Sequence, residues 1–207
     1  MAYGLTTQES RLLAALNTPR KVQDFLEVIP MPFGEHPQRC RSPRQVLREG
    51  AAFCMEGAML AAAALRMQGR APLIVDLESA PHDDDHVITV FRERGHWGAI
   101  SKTNHAVLRW RDPVYRTIRE LVLSYFHEYV DAAGRKTLRS YINPVDLTRF
   151  DRRNWVSSAE DVWFVPEYLA DVQHLPLLTS RQRAQLRPAD PVERIAGNLE
   201  TYPSKRP

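Results

Sequence analysis

The chain has 207 residues, of which 43% are hydrophobic and 26% are charged, and its formal net charge is +3. This length is enough for one substantial hydrophobic core and too short to require two. Residues 178–207 hold six Arg or Lys and three Asp or Glu, so they account for the net charge. A basic tail on a neutral body does not form a groove for phosphates, which disfavours nucleic acid as a partner.

The first residues do not show a positive segment followed by an apolar one, and no stretch approaches the ~20 apolar residues that span a bilayer. We therefore expect a cytoplasmic protein without a membrane partner. Cys40 and Cys54 are the only cysteines. We expect both to be reduced thiols, because a compact cytosolic chain rarely relies on a single disulfide.

The first half of the chain predicts helices. A helix over Thr6–Ala15 begins at Thr6 or Thr7, with a Glu at capping-box distance. Residues 30–34 break regular structure, and Ser42 followed by proline predicts the start of the next helix. Gly50 interrupts the pattern before a helix that runs from Cys54 to Gly69. Its four consecutive alanines allow close packing, so we expect it to be central and buried.

From Ala71 the hydrophobic period changes to that of strands. Strands are predicted over 72–77, 86–91, 97–101 and, fourth, 106–110. A helix capped by Asp112 follows, then a helix near 158–172 and a proline-containing tail. This order predicts an α+β fold, with one domain over residues 1–177 and a basic C-terminal tail or arm over 178–207.

Cys54 and His86 are candidate catalytic residues. A helix N-terminus carries unpaired N–H groups and partial positive charge, so a thiol there is expected to lose its proton more readily. The same N–H groups can bind a developing oxyanion. A nearby imidazole would take the thiol proton and return it to the leaving group. His86, at the start of a strand, is the expected base.

Four stretches carry a resemblance to a known family: Cys54-Met55-Glu56-Gly57-Ala58, the turn over 65–72, His86-Val87-Ile88 and Trp97-Gly98-Ala99-Ile100-Ser101. Their order resembles the transglutaminase-like superfamily of papain-like cysteine enzymes. The resemblance implies a Cys-bearing central helix packed on a small antiparallel sheet, with extra C-terminal helices. It also implies a Cys-His dyad that acts on a peptide, a protein or a small amide or ester without a cofactor or metal.

The third catalytic residue departs from the family pattern. An Asp commonly follows the Trp of the next strand and orients the histidine, whereas here Ser101 follows Trp97. A serine hydroxyl can hold the imidazole but lacks the charge that stabilises an imidazolium. Ser101 is the first candidate. Asn104 or Asp76 could fill the place instead, or catalysis has been lost.

The length of the hairpin loop decides whether Ser101 faces His86. A loop of Glu93-Arg94 places Ser101 directly opposite His86. A loop of Arg94-Gly95 pairs Ser101 with Ile88, on the same face and diagonal to His86. A three-residue loop turns Lys102 towards the site instead.

The stretch from His82 to His86 holds three aspartates between two histidines. Adjacent residues seldom converge on one ion, which disfavours a metal site. A solvated acidic loop is the favoured interpretation. At the rim of a cleft, such a loop would favour a cationic substrate.

Two functions are compatible with these features. The first is a cysteine hydrolase or acyltransferase that uses Cys54, His86 and either Ser101 or Asn104. The second is a catalytically weak or inactive domain of the same fold that binds a peptide or protein partner. The presence of Cys54 and His86 favours the first function, and the missing Asp favours the second.

Overall fold

The computed structural model describes residues 2–32 and 39–202, which form a mixed α+β fold. The predicted break over 30–34 lies partly outside these residues. Eight α-helices are described: α1 Thr7–Ala15, α2 Pro19–Glu27, α3 Pro43–Glu49, α4 Cys54–Met67, α5 Ile118–Leu123, α6 Phe164–Asp171, α7 Ser180–Ala184 and α8 Pro191–Gly197. Seven strands are described: β1 Leu73–Glu78, β2 His86–Glu93, β3 His96–Ser101, β4 Arg111–Tyr115, β5 Ser140–Tyr141, β6 Val145–Asp146 and β7 Leu175–Pro176.

The strands form one antiparallel sheet in the order β4-β3-β2-β1-β5-β7, with β6 also paired to β1. Consecutive strands β1 to β4 are neighbours, so this half of the sheet is a meander. The hairpin between β2 and β3 turns at Arg94 and Gly95, whose φ angles are +48° and +86°. Two successive left-handed residues are typical of a tight two-residue hairpin turn.

Helix α4 is the centre of the larger hydrophobic core. Every residue from Glu56 to Leu65 is buried. The small side chains allow the sheet and helices α1, α2 and α3 to pack closely around it. The hydroxyl of Thr89 on β2 donates to the carbonyl of Ala58 at 2.6 Å, so α4 lies on the sheet face to which Thr89 points. The expected buried central helix is confirmed.

The opposite face of the sheet carries a second core. Ile88 and Val90 of β2 pack there with Leu121 and Val122 of α5 and with Tyr125. Because side chains alternate along a strand, His86 belongs to this face, whereas Val87 belongs to the face of α4. The side chains of β2 therefore alternate between the two cores along the strand.

Several sequence predictions of elements are wrong in detail. Residues 106–110 are not a strand, and β4 begins at Arg111 instead. Leu108 takes a φ of +59°, which breaks the extended conformation. The helix predicted from Asp112 starts later, because Thr117 is its N-cap. The helix near 158–172 is shorter, and the 178–207 tail contains α7 and α8. Helix α2 was missed, although Thr18-Pro19 is the same start signal as Ser42-Pro43.

Within the described ranges, no single helix is long and apolar enough to cross a membrane. The bent pair α3 and α4, which meet at 108°, passes that test only when its two helices are taken together.

Gly57 is required where α4 meets the end of β3. A Cβ atom at this position would lie 2.5 Å from Cβ of Lys102. We expect Gly57→Ala to lower the free energy of unfolding by about 1–3 kcal/mol, because overpacking outweighs the higher helix propensity of alanine. Urea denaturation of the two proteins measures the difference.

Gly197 in α8 is the matched control. A Cβ atom there would meet Cγ1 of Val107 at 3.8 Å, an ordinary contact. Gly197→Ala should leave the free energy of unfolding unchanged or raise it by up to about 1 kcal/mol. Equal effects of the two substitutions would contradict the steric role of Gly57.

Candidate active site

Cys54 is the first residue of α4 and partly exposed. The N-cap residue is Phe53, whose side chain cannot accept a hydrogen bond from the helix. Glu56 reaches back instead and accepts the N–H of Phe53 at 2.9 Å and the N–H of Arg41 at 2.8 Å. These bonds hold the start of α4 in place and leave its first N–H groups without a capping side chain.

The thiol of Cys54 lies at the start of β2. The backbone N–H groups of Val87 and Met55 point to its sulfur. Val87 directly follows His86, so the sulfur lies beside the peptide bond that joins them. Both Cys54 and His86 line a cleft of about 1260 Å³. Among the described residues, no hydrogen bond joins the thiol to the imidazole.

A chain of hydrogen bonds fixes the tautomer of His86. Nε2 of His86 lies 2.7 Å from Oγ of Ser101, and the Ser101 hydroxyl also contacts the carbonyl oxygen of Leu108. A carbonyl only accepts, so the hydroxyl must donate to Leu108 and accept from His86. Nε2 therefore carries the proton, and Nδ1 keeps a lone pair. This is the form in which the ring can act as a base through Nδ1.

The register of the hairpin places Ser101. Ser101 pairs with Ile88 and lies diagonal to His86, as a loop of Arg94-Gly95 predicts. The side chain of Gln23 on α2 then holds the backbone of Ser101. Oε1 of Gln23 accepts the Ser101 N–H, and Nε2 donates to the Ser101 carbonyl, both at 2.9 Å. Sequence reasoning missed Gln23 and Leu108, since nothing local to either residue indicates the contact.

Burial governs the protonation of both candidate catalytic groups. It raises the pKa of the Cys54 thiol to about 11, although the N–H groups of Val87 and Met55 oppose this, and the carboxylates of Asp76 and Glu56 add to it. Burial alone lowers the pKa of His86 to about 4. The expected easier loss of the thiol proton is therefore wrong for the resting protein. Thiol and imidazole are both neutral around pH 7.

The other candidates for the third residue lie elsewhere. Asn104 binds the C-terminal segment: its Nδ2 donates to the carbonyl of Tyr202, and its Oδ1 accepts the Tyr202 N–H, both at 2.9 Å. Asp76 contacts Nε2 of His174 at 3.3 Å. Lys102 donates from Nζ to the carbonyl of Ile29. Of the four candidates, only Ser101 is found hydrogen-bonded to His86 among the described residues.

The side chains from 82 to 86 diverge. His82 pairs with Asp131 at 3.0 Å, whereas His86 binds Ser101. Asp83 accepts the hydroxyl of Thr137, and Asp85 accepts the N–H of Ser79 at 2.7 Å. Asp84 is exposed, and its carboxylate makes no hydrogen bond within the ranges that the structure describes. All five residues line the cleft.

Neither a protein-family model nor a curated protein sequence matches this chain.

The shifted pKa values of His86 and Asp76 link stability to pH with opposite signs. The pKa of His86 is lowered from 6.5 to about 4. The unfolded state therefore binds more protons between these pH values, and stability rises with pH there. Burial raises the pKa of Asp76 from 3.8 to about 6. The folded state therefore binds more protons across that range, and stability falls as pH rises. Each effect amounts to about 3 kcal/mol, and in the native protein they largely cancel.

Single substitutions separate these two effects. The measured quantity is the free energy of unfolding of each variant minus that of the native protein. For Asp76→Asn this difference should increase as the pH rises from about 4 to about 6. For His86→Gln it should decrease as the pH rises from about 4 to about 6.5. Urea denaturation at closely spaced pH values gives both differences. Slopes of the same sign for the two variants would contradict the assignment.

Proposed function

We propose that the protein is a cysteine-dependent hydrolase or acyltransferase with a papain/transglutaminase-like core, acting on amide or ester bonds. One observation carries the proposal. The thiol of Cys54 lies at the start of α4 near the N–H of Val87, Cys54 and His86 line one cleft, and the bonds of His86 to Ser101 and onward to Leu108 leave Nδ1 as the basic nitrogen. Nucleophile and base then line one cleft, and the orienting hydroxyl is buried behind the base.

In this mechanism, proton transfer accompanies attack. Nδ1 of His86 takes the thiol proton as Sγ of Cys54 bonds to the carbonyl carbon, and the N–H groups of the first turn of α4 bind the resulting oxyanion. The imidazolium then gives its proton to the leaving amine or alcohol, which yields a thioester on Cys54. Attack by water completes hydrolysis, and attack by an amine or alcohol completes acyl transfer.

The neutral resting dyad is compatible with this mechanism. A thiolate-imidazolium pair is costly in a buried site, because both groups lose hydration. In the transition state the negative charge has moved from sulfur to the carbonyl oxygen, where N–H groups can bind it. The site therefore separates charge only when a substrate is present.

Alkylation of Cys54 by iodoacetamide tests whether His86 is its base. With His86 as base, the rate should be nearly constant from about pH 5 to pH 9, because His86 is neutral throughout, and should fall as pH drops through about 4. In His86→Gln, the rate at about pH 7 should fall at least tenfold and should rise about tenfold per pH unit, since only thiolate reacts. Mass spectrometry of the adduct gives both rates.

Cys40 is the internal control in the same experiment. It is buried, and burial raises the pKa of its thiol to about 12. Its alkylation should not respond to His86→Gln. If the native Cys54 rate also rises tenfold per pH unit from about pH 5, His86 is not the base and the enzymatic proposal fails.

A second candidate is a catalytically inactive domain of the same fold that binds a peptide or protein partner in the cleft. Two observations favour it: a hydroxyl and not a carboxylate is bonded to His86, and no thiol-to-imidazole hydrogen bond is found among the described residues. For this function Cys54→Ser should leave partner binding intact, whereas a hydrolase or acyltransferase would lose turnover.

We also propose a preference for cationic substrates, and Asp84 is the residue of the acidic loop on which it can be tested. Asp83 and Asp85 make structural bonds, so Asp84→Asn removes charge without removing a bond found in the structure. Turnover of acetylthiocholine should fall about threefold to tenfold, as expected when one attractive charge is lost at a cleft. Its neutral carbon analogue, 3,3-dimethylbutyl thioacetate, is the matched control. Equal changes for the two thioesters would contradict the preference.

A further inference from the structure

Leu108 provides the carbonyl that receives the hydrogen bond of Ser101, and its backbone conformation is unusual. Its φ is +59°, in the left-handed region that residues other than glycine rarely adopt. Such a conformation persists only where the surroundings hold it. The interactions that hold Leu108 therefore also fix the direction in which its carbonyl points.

Glu128 is the side chain that binds Leu108 directly. Its Oε2 accepts the N–H of Leu108 at 2.6 Å, and its Oε1 accepts Nη2 of Arg111 at 2.5 Å. Arg111 in turn donates to the carbonyls of Arg109 and Trp110, at 3.3 Å and 3.2 Å. The turn after Leu108 is thus attached to Glu128 on both sides.

Tyr125 completes the support of this turn. The guanidinium of Arg111 lies 4.0 Å from the centre of the Tyr125 ring, and the Tyr125 hydroxyl donates to the carbonyl of Arg109 at 2.9 Å. Tyr125 is fully buried in the second core. The support is therefore anchored in the second core.

We infer that Glu128 is a positioning residue for His86, acting through the N–H and carbonyl of Leu108 and the hydroxyl of Ser101. Its carboxylate holds Leu108 left-handed, the Leu108 carbonyl then accepts from Ser101, and the Ser101 oxygen accepts from Nε2 of His86. The role in catalysis rests on the proposed function, whereas the effect on the His86 tautomer does not.

Glu128 acts by reaching the Leu108 N–H and not by its negative charge. The N–H and the carbonyl of Leu108 belong to different peptide groups, so Glu128 does not polarise the carbonyl through a shared amide. Its charge is also compensated by Arg111 at 2.5 Å. Glu128 therefore does not replace the missing acid of the family pattern electrostatically. It holds the geometry that lets a serine act in the place of that acid.

Two substitutions separate reach from charge. Glu128→Gln removes the charge and can keep its oxygen on the Leu108 N–H, but its amide nitrogen then faces Arg111 and the ion pair is lost. Glu128→Asp keeps the charge but is one methylene too short. Nitrogen-15 NMR of the imidazoles reports the tautomer, with the His86 signals assigned by their loss in His86→Gln. We expect the Nε2–H form in the native protein and in Glu128→Gln, and a mixture of tautomers in Glu128→Asp and Glu128→Ala.

Alkylation of Cys54 provides a second readout. At about pH 7 the rate should fall about tenfold in Glu128→Asp and Glu128→Ala, as for loss of other residues that orient a reactive group, and should stay within about threefold of native in Glu128→Gln. If Glu128→Ala fails to fold, the Gln and Asp variants alone decide between reach and charge.

Glu120 is the matched control. Its carboxylate also accepts a backbone N–H, from Arg116 at 2.7 Å, but makes no bond to Leu108, Ser101 or Arg111 among the described residues. Glu120→Ala should change neither the tautomer nor the alkylation rate. An unchanged His86 tautomer in folded Glu128→Asp would overturn the inference. A mixture in Glu128→Gln would show that the ion pair with Arg111 is needed as well and would overturn the claim that charge plays no part. If the tautomer changes while His86→Gln leaves alkylation unaffected, Glu128 still positions His86 and only the proposed function fails.

Discussion

The burial of α4 on every side is the constraint on which the rest of the molecule depends. A helix that packs against a sheet on one face and helices on the others needs small side chains, and Gly57, Ala58 and the four alanines from Ala61 to Ala64 provide them. Its first turn is the part that meets the cleft. Cys54 is partly exposed there, whereas Glu56 is already buried and ties the helix to Arg41. The packing of α4 thus decides where a thiol can meet a substrate.

Desolvation outweighs the nearby backbone dipoles in setting the pKa values of the two candidate catalytic groups. Two N–H groups at the sulfur favour the thiolate, yet the pKa of Cys54 rises to about 11. His86 likewise has a neutral hydroxyl as its hydrogen-bond partner and a pKa of about 4. A carboxylate in place of Ser101 would favour the imidazolium. With serine there, the ring is oriented without being charged.

Local patterns in the sequence were enough to predict much of this architecture. The capping residues Thr6 and Ser42, the buried helix at Cys54 and strands β1 to β3 follow from short-range signals, and the structure confirms them. Failures occurred where tertiary contacts decide the conformation. Residues 106–110 have strand-like composition, but Leu108 is held left-handed by Glu128, twenty positions further along the chain. No local signal indicates such a bond.

The contacts of the candidate site likewise divide into those that local sequence signals predict and those that depend on tertiary packing. The contact of Ser101 with His86 was predictable, because hairpin register is set by a loop of two residues and by strand alternation. The contact of Gln23 with Ser101 joins residues 78 positions apart, and the role of Asn104 in binding Tyr202 spans 98 positions. Pairings over such separations depend on how whole elements pack, which a single sequence does not specify locally.

The turn at Arg94 and Gly95 has a consequence for how the chain can vary. Exposed loops usually tolerate insertions and deletions, since little packing depends on their length. This loop lies about seven strand residues, or roughly 23 Å, from the contact between Ser101 and His86. If the turn keeps two residues, inserting or deleting one residue there shifts the register of β3 by one and moves Ser101 to the opposite face of the sheet. The length of a surface loop would thus be as constrained as the identity of His86.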